Sequence, residues 1–192
     1  MPSSPLEFAL DTLRDGHLVG VPTDTVYGIA ADPMQHSAVQ RLFAAKERPD
    51  IKPIPILAAS VADVRRIVLM DDCVVALADR HWPGGLTLVL ARIPDLPDWI
   101  GDPKRGTVGV RIPDHPTARQ LLMAAGPLAV TSANRSGNEP ASNAAGAQAA
   151  LGDSVAFYLS GCGTGNSAST VVDLSGDRPK VLREGPVHWS PS

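Results

Sequence analysis

The chain has 192 residues, of which 44% are apolar, 19% charged and only 4% aromatic, and its formal net charge is −3. That composition excludes a disordered or fibrous chain, and the charge balance argues against a sequence-wide attraction to nucleic acid. The longest apolar runs, such as residues 86–91, are too short to cross a membrane, and the N-terminus shows no secretory pattern. Cys73 and Cys162 form neither a CxxC pair nor a disulfide framework, which fits a reducing, cytoplasmic setting.

Helix and strand signals alternate from the start. Ser4, Pro5 and Glu7 read as N-cap, first helical residue and capping-box acid of a helix that buries Leu6, Leu10 and Leu13 and ends at Gly16. Residues 17–22 read as a buried strand. A second helix opens at Ser37 with Gln40 three positions on, buries Val39, Leu42 and Phe43, and must stop before Pro49. Residues 54–58 read as a strand, Ser60 caps a helix burying Val64, Ile67 and Val68, and Asp72 starts another that ends near Arg80.

Strands follow at 86–91 and 107–112. Asp114 caps a helix whose Ala118, Leu121, Leu122 and Ala125 form the apolar face. Residues 127–131 form a strand running into the loop 132–137, an alanine-rich helix covers 144–151, and strands are expected at 155–159, 170–174 and 180–183. Between the first two of these, GCGTGNSA (161–168) reads as a mobile loop. Some strands are separated by helices and others only by loops, which implies a single α/β domain over residues 1–192 with a mixed sheet.

The chain holds no GxxxxGK[ST], GxGxxG, HExxH or GxSxG, so a P-loop, a tightly built zinc site and a nucleophile elbow are not expected. Polar residues instead collect just after strands, where open α/β sheets bind ligands. PTDTVYG (22–28) supplies two threonine hydroxyls, a carboxylate and a phenol, although a capped turn would use some of these. Lys46, Arg48 and Lys52 place three cations within seven positions, stiffened by prolines, and can converge on a polyanion or simply form a solvated helix end. Thr107, Gly109 and Arg111 alternate along one strand face, and an arginine in so apolar a strand needs a partner. Thr131, Ser132, Asn134 and Ser136 concentrate donors at a strand-to-loop switch, with turn formation as the plain alternative. Ser169 and Arg183 complete the set.

Seven motifs occur in one order: PTDTVYG, KERP with Lys52-Pro53, WPGG before LTLVL, VGVRIPDHP, TSANRSG, STVVDL and LREGPV. In this order the chain resembles the YrdC/TsaC family over about residues 17–187, in its short single-domain form. The resemblance implies a YrdC-like domain: a twisted, open, mixed parallel and antiparallel sheet flanked by helices, with a central concave ligand site. It implies an L-threonylcarbamoyladenylate synthase, a nucleotidyltransferase that forms threonylcarbamoyl-AMP and pyrophosphate from L-threonine, bicarbonate and ATP with Mg²⁺. Downstream proteins would transfer the product to tRNA, with weak tRNA contact left open.

By motif, the resemblance assigns threonine to Thr25, Arg111, Ser132 and Ser169, and ATP to Arg48, Lys52, Thr107, Asn134, Ser142 and Arg183, with Lys46 and Arg48 as catalytic cations. Two departures stand out. Leu57 replaces a histidine common in the family, and WPGG replaces WPGP. The alternative from another class is a non-catalytic binding module for double-stranded RNA or tRNA built on the same fold.

Overall fold

The computed structural model describes residues 4–47 and 53–190. Helix α1 (Pro5–Arg14) begins with the expected capping box, Ser4 Oγ accepting from the Glu7 N–H and Glu7 reaching back to the Ser4 N–H. Strand β1 (Val19–Val21) is followed by β2 (Gly28–Ala31), which the sequence reading passed over. GIAA is short and apolar throughout, so no alternation marks it as a strand.

Helix α2 (His36–Ala45) is capped by Gln35, two residues before the expected Ser37, and without a side-chain hydrogen bond. Strand β3 is Ile56–Leu57. Ser60 caps α3 (Val61–Val64) as expected, but the helix stops at Val64, and Ile67 and Val68 are buried from the turn beyond it. Asp71, not Asp72, caps α4 (Asp72–His81) by accepting from the Val74 N–H.

Strands β4 (Leu86–Ala91) and β5 (Thr107–Arg111) pair antiparallel. Helix α5 (Pro116–Ala125) starts from His115, with no side-chain cap, in place of the expected Asp114. Its Ala118, Leu121 and Leu122 are buried, whereas Ala125, the last residue of the helix, is exposed. Strand β6 (Leu128–Ser132), helix α6 (Ala144–Leu151), β7 (Phe157–Tyr158), β8 (Thr170–Asp173) and β9 (Lys180–Arg183) complete the order.

The nine strands form one mixed sheet in the order β7-β1-β2-β6-β3-β5-β4-β8-β9, with β1–β7, β3–β5 and β4–β8 parallel. Alternation along the strands sends side chains to two different layers. One layer runs under nearly the whole sheet: Ile29, Ile56, Leu86, Leu88, Val108, Val110 and Val172 pack with Leu42 of α2, Val64 of α3, Ala78 of α4 and Leu151 of α6. The opposite layer is smaller. Val19, Val21, Leu57, Leu128 and Val130 pack there against Ala9 and Leu13 of α1 and Leu121 and Leu122 of α5.

Those two helices therefore cover only the β7, β1, β2, β6 and β3 part of that face. Across β5, β4 and β8 the same face carries Thr107, Gly109, Arg111, Thr87, Val89 and Val171, and these residues line an open concavity. No helix among the described residues is long and apolar enough to cross a membrane.

Candidate active site

The concavity encloses about 340 Å³, within the range that small-molecule sites occupy. Its floor is the half of the sheet face that α1 and α5 leave bare. Strand β5 contributes Thr107, Gly109 and Arg111 on alternate positions, as the sequence spacing predicts. Thr25 enters from the loop after β1, Ser132 from the end of β6, Ser169 from the start of β8 and Arg183 from β9. Six of the expected site residues are thus brought to one cavity from five separate stretches of chain.

Arg111 is 5% exposed and finds the partner that its own strand lacks in the loop after β1. Its Nη2 pairs with Asp24 Oδ1, its Nη1 donates to Thr25 Oγ1 at 2.9 Å, and its Nε donates to the Gly84 carbonyl at 2.8 Å. Burial lowers the pKa of the guanidinium while Asp24 raises it, and an arginine starting from so high a value stays charged. Three of its N–H groups are engaged within the fold, so the remainder of its five can meet a planar anion.

The loop after β1 is held as firmly. Thr23 Oγ1 donates to the Val26 carbonyl, lies 3.0 Å from Thr25 Oγ1 and accepts from the Thr25 N–H. Tyr27, counted among the polar groups of this loop, turns into the core, where its hydroxyl donates to the Leu159 carbonyl at 2.6 Å; burial pushes its pKa up. It lies outside the cavity lining.

The segment 161–168, expected to be mobile, is fastened to that loop. Thr164 and Gly165 donate backbone hydrogen bonds to the carbonyls of Thr23 and Thr25, and Gly163 donates to Ser142. Gly163 and Gly165 permit this: a Cβ would stand 2.7 Å from the Val26 carbonyl carbon at the first and 2.8 Å from the Asp24 carbonyl oxygen at the second. The glycines that suggested flexibility serve close approach.

Ser169 and Thr87 share a 2.8 Å hydrogen bond on the cavity wall. Thr87 was not singled out from the sequence, although it is the polar residue in LTLVLA and shares a face with Val89. Arg183 donates from Nε to the Ser169 carbonyl at 2.8 Å and from Nη2 to Ser169 Oγ at 3.0 Å. Leu57, paired in register with Arg111, puts a buried apolar side chain in the wall.

Lys46 follows α2 and is 3% exposed. Its Nζ donates to the Ser132 carbonyl at 2.6 Å and to the carbonyl and Oδ1 of Asn134 at 2.7 and 3.1 Å. It stands behind Ser132 rather than in the cavity lining. Asn134 is likewise outside the lining, its amide donating to the carbonyls of Arg135 and Asn138. Ser142 is exposed and also outside it. Arg48 and Lys52 lie outside the described residues.

The arrangement suits a small anionic substrate held by Arg111 together with a larger anion along the cationic rim. The Sua5/YciO/YrdC family model, described as "Telomere recombination", matches residues 11–185. A Mycobacterium tuberculosis relative is 45% identical over 181 residues, 93% of this chain and 83% of its own length. The threonylcarbamoyl-AMP synthase of Marinobacter nauticus is 34% identical over 88% of this chain and 90% of its own. The crystal structure of P. abyssi Sua5 complexed with L-threonine superposes with a TM-score of 0.88 at 34% identity, covering 94% of this chain and 54% of that one. The chain belongs to the Sua5/YciO/YrdC family.

Proposed function

We propose that this chain is a threonylcarbamoyl-AMP synthase, which joins L-threonine, bicarbonate and ATP into threonylcarbamoyl-AMP and pyrophosphate. The observation that carries the reading is Arg111. It is a buried guanidinium braced by Asp24, Thr25 and Gly84 at the floor of a cavity ringed by hydroxyls, in a chain whose relatives bear that name.

In this reading the free N–H groups of Arg111 take the threonine carboxylate, and the hydroxyls of Thr25, Ser132 and Ser169 fix the amine and side chain. The threonine amine adds to bicarbonate with loss of water and gives a carbamate. A carbamate oxygen then attacks the α-phosphorus of ATP in line, and pyrophosphate leaves. Positioning and charge neutralisation supply the catalysis, so no side-chain nucleophile is needed.

Thr107 and Arg183 hold ATP within the cavity, with Arg48, Lys52, Asn134 and Ser142 assigned to it by motif. Lys46 and Arg48 act as the catalytic cations, Lys46 delivering its charge from behind Ser132 and Asn134. ATP enters as its magnesium complex, the ion carried by phosphate oxygens; among the described residues no three His, Cys, Asp or Glu side chains gather to hold one. The product passes to proteins that transfer threonylcarbamoyl to tRNA in the cytoplasm.

The test is pyrophosphate release from magnesium ATP. Release should require both L-threonine and bicarbonate, and Lys46→Ala should lower it by about 30-fold or more. Release that ignores threonine or bicarbonate would overturn the assignment.

A further inference from the structure

One cation in the cavity has no role in the reading above. Arg105 lies in the turn between β4 and β5 and lines the cavity, two residues before Thr107. The main chain of this turn is fixed. Residues 102–105 stand between two glycines in the left-handed region, Gly101 at φ 74° and Gly106 at φ 64°, and Asp102 and Thr107 exchange backbone hydrogen bonds at 2.7 and 3.0 Å. Asp102 Oδ1 accepts from the N–H groups of Lys104 and Arg105.

The side chain, by contrast, is half exposed and tethered at one point. Arg105 Nη2 pairs with Asp173 Oδ2 at 2.6 Å and reaches Ser175 Oγ at 3.3 Å. Asp173 keeps further partners besides the arginine, its Oδ1 accepting from the Ser175 N–H at 3.0 Å and the Ser175 hydroxyl at 2.6 Å. A half-exposed guanidinium that bonds through Nη2 alone can swing to a second anion, and the carboxylate it leaves keeps its two hydrogen bonds from Ser175. A triphosphate entering beside Thr107 would offer it several charged oxygens in the planar, forked geometry that arginine favours.

We propose that Arg105 is a further ATP-binding residue, which leaves Asp173 when ATP enters and closes on the phosphate oxygens, with Asp173 as its holding partner in the unliganded protein. The inference rests on the synthase reading for the identity of the ligand. A guanidinium in that place also meets the charge that develops on departing pyrophosphate.

Direct binding of a non-hydrolysable ATP analogue with Mg²⁺, followed by calorimetry, separates this proposal from the catalytic one, because it needs no turnover. Arg105→Gln should weaken that binding about tenfold, and Arg105→Lys should recover part of it. In turnover, the KM for ATP should rise in Arg105→Gln while the KM for threonine stays within about twofold. Asp173→Asn, which frees the arginine, should tighten the analogue. Wild-type analogue affinity in Arg105→Gln, or equal losses for ATP and threonine, would overturn the proposal. Failure of wild-type pyrophosphate release with the Arg105 effect on binding intact would overturn the synthase reading alone.

Discussion

The two ends of the cavity are built on opposite principles. At the Arg111 end the cation is buried and braced within the fold: guanidinium to Asp24, Thr25 and Gly84, and Thr23 to Thr25 and Val26. At the Arg105 end the cation is half exposed and its partner keeps other hydrogen bonds. The difference separates preorganisation from capture. A small substrate that must be held in one orientation meets a rigid anchor, and a long, flexible polyanion meets a side chain free to follow it.

Breaking the rigid end should have the largest effect. Arg111→Ala leaves the Asp24 carboxylate with 12% of its side chain exposed and no guanidinium beside it, so stability should fall by about 3 kcal/mol in urea unfolding. Activity should fall by more than about 100-fold in the same variant. Wild-type stability would show that the pair is not the anchor its geometry describes.

A smaller loss should follow from Gly163→Ala, which forces a methyl against the Val26 and Tyr27 backbone and lifts the 161–168 loop from the Thr25 loop. A cost of about 2 kcal/mol is expected in thermal unfolding, with weakened threonine binding as the second readout.

The smallest effect belongs to the rim and sharpens the contrast by its size. Burial raises the Asp173 carboxyl, but hydrogen bonds from Ser175 and Arg105 outweigh it and hold its pKa below the ordinary 3.8. A pKa depressed in the folded state gives stability that is present above the unfolded value and lost as pH falls through the folded one. Asp173→Asn should therefore lower stability at pH ~7 by less than about 1 kcal/mol, and the difference from wild type should fade as pH falls below ~4. Comparing urea midpoints at the two pH values checks it.

Local signals were the legible ones. Ser4 with Glu7 announced a capping box, and the spacing of Thr107, Gly109 and Arg111 announced a shared face, because each depends only on neighbours in the chain. What the sequence hid was non-local. Asp24, the partner that Arg111 required, is 87 residues away, and Tyr27 turns from its polar neighbours toward Leu159 because of packing that no window of sequence contains. The glycines at 163 and 165 were misread for the same reason: a loop's composition gives its freedom in isolation, while the backbone pressed against it takes that freedom away.

The strand order carries a consequence for how the protein is made. The wall that holds Ser169 and Arg183 is built by β8 and β9, the last two strands among the described residues, added to the sheet beyond β4 at one edge. During synthesis the Arg111 anchor can assemble as soon as β1 through β6 have emerged, but the opposite wall must wait for residues past 169. The cavity is thus completed by late, long-range pairing, the slow kind of contact. A ribosome-stalled chain ending before β8 should be folded in part and unable to enclose its substrates.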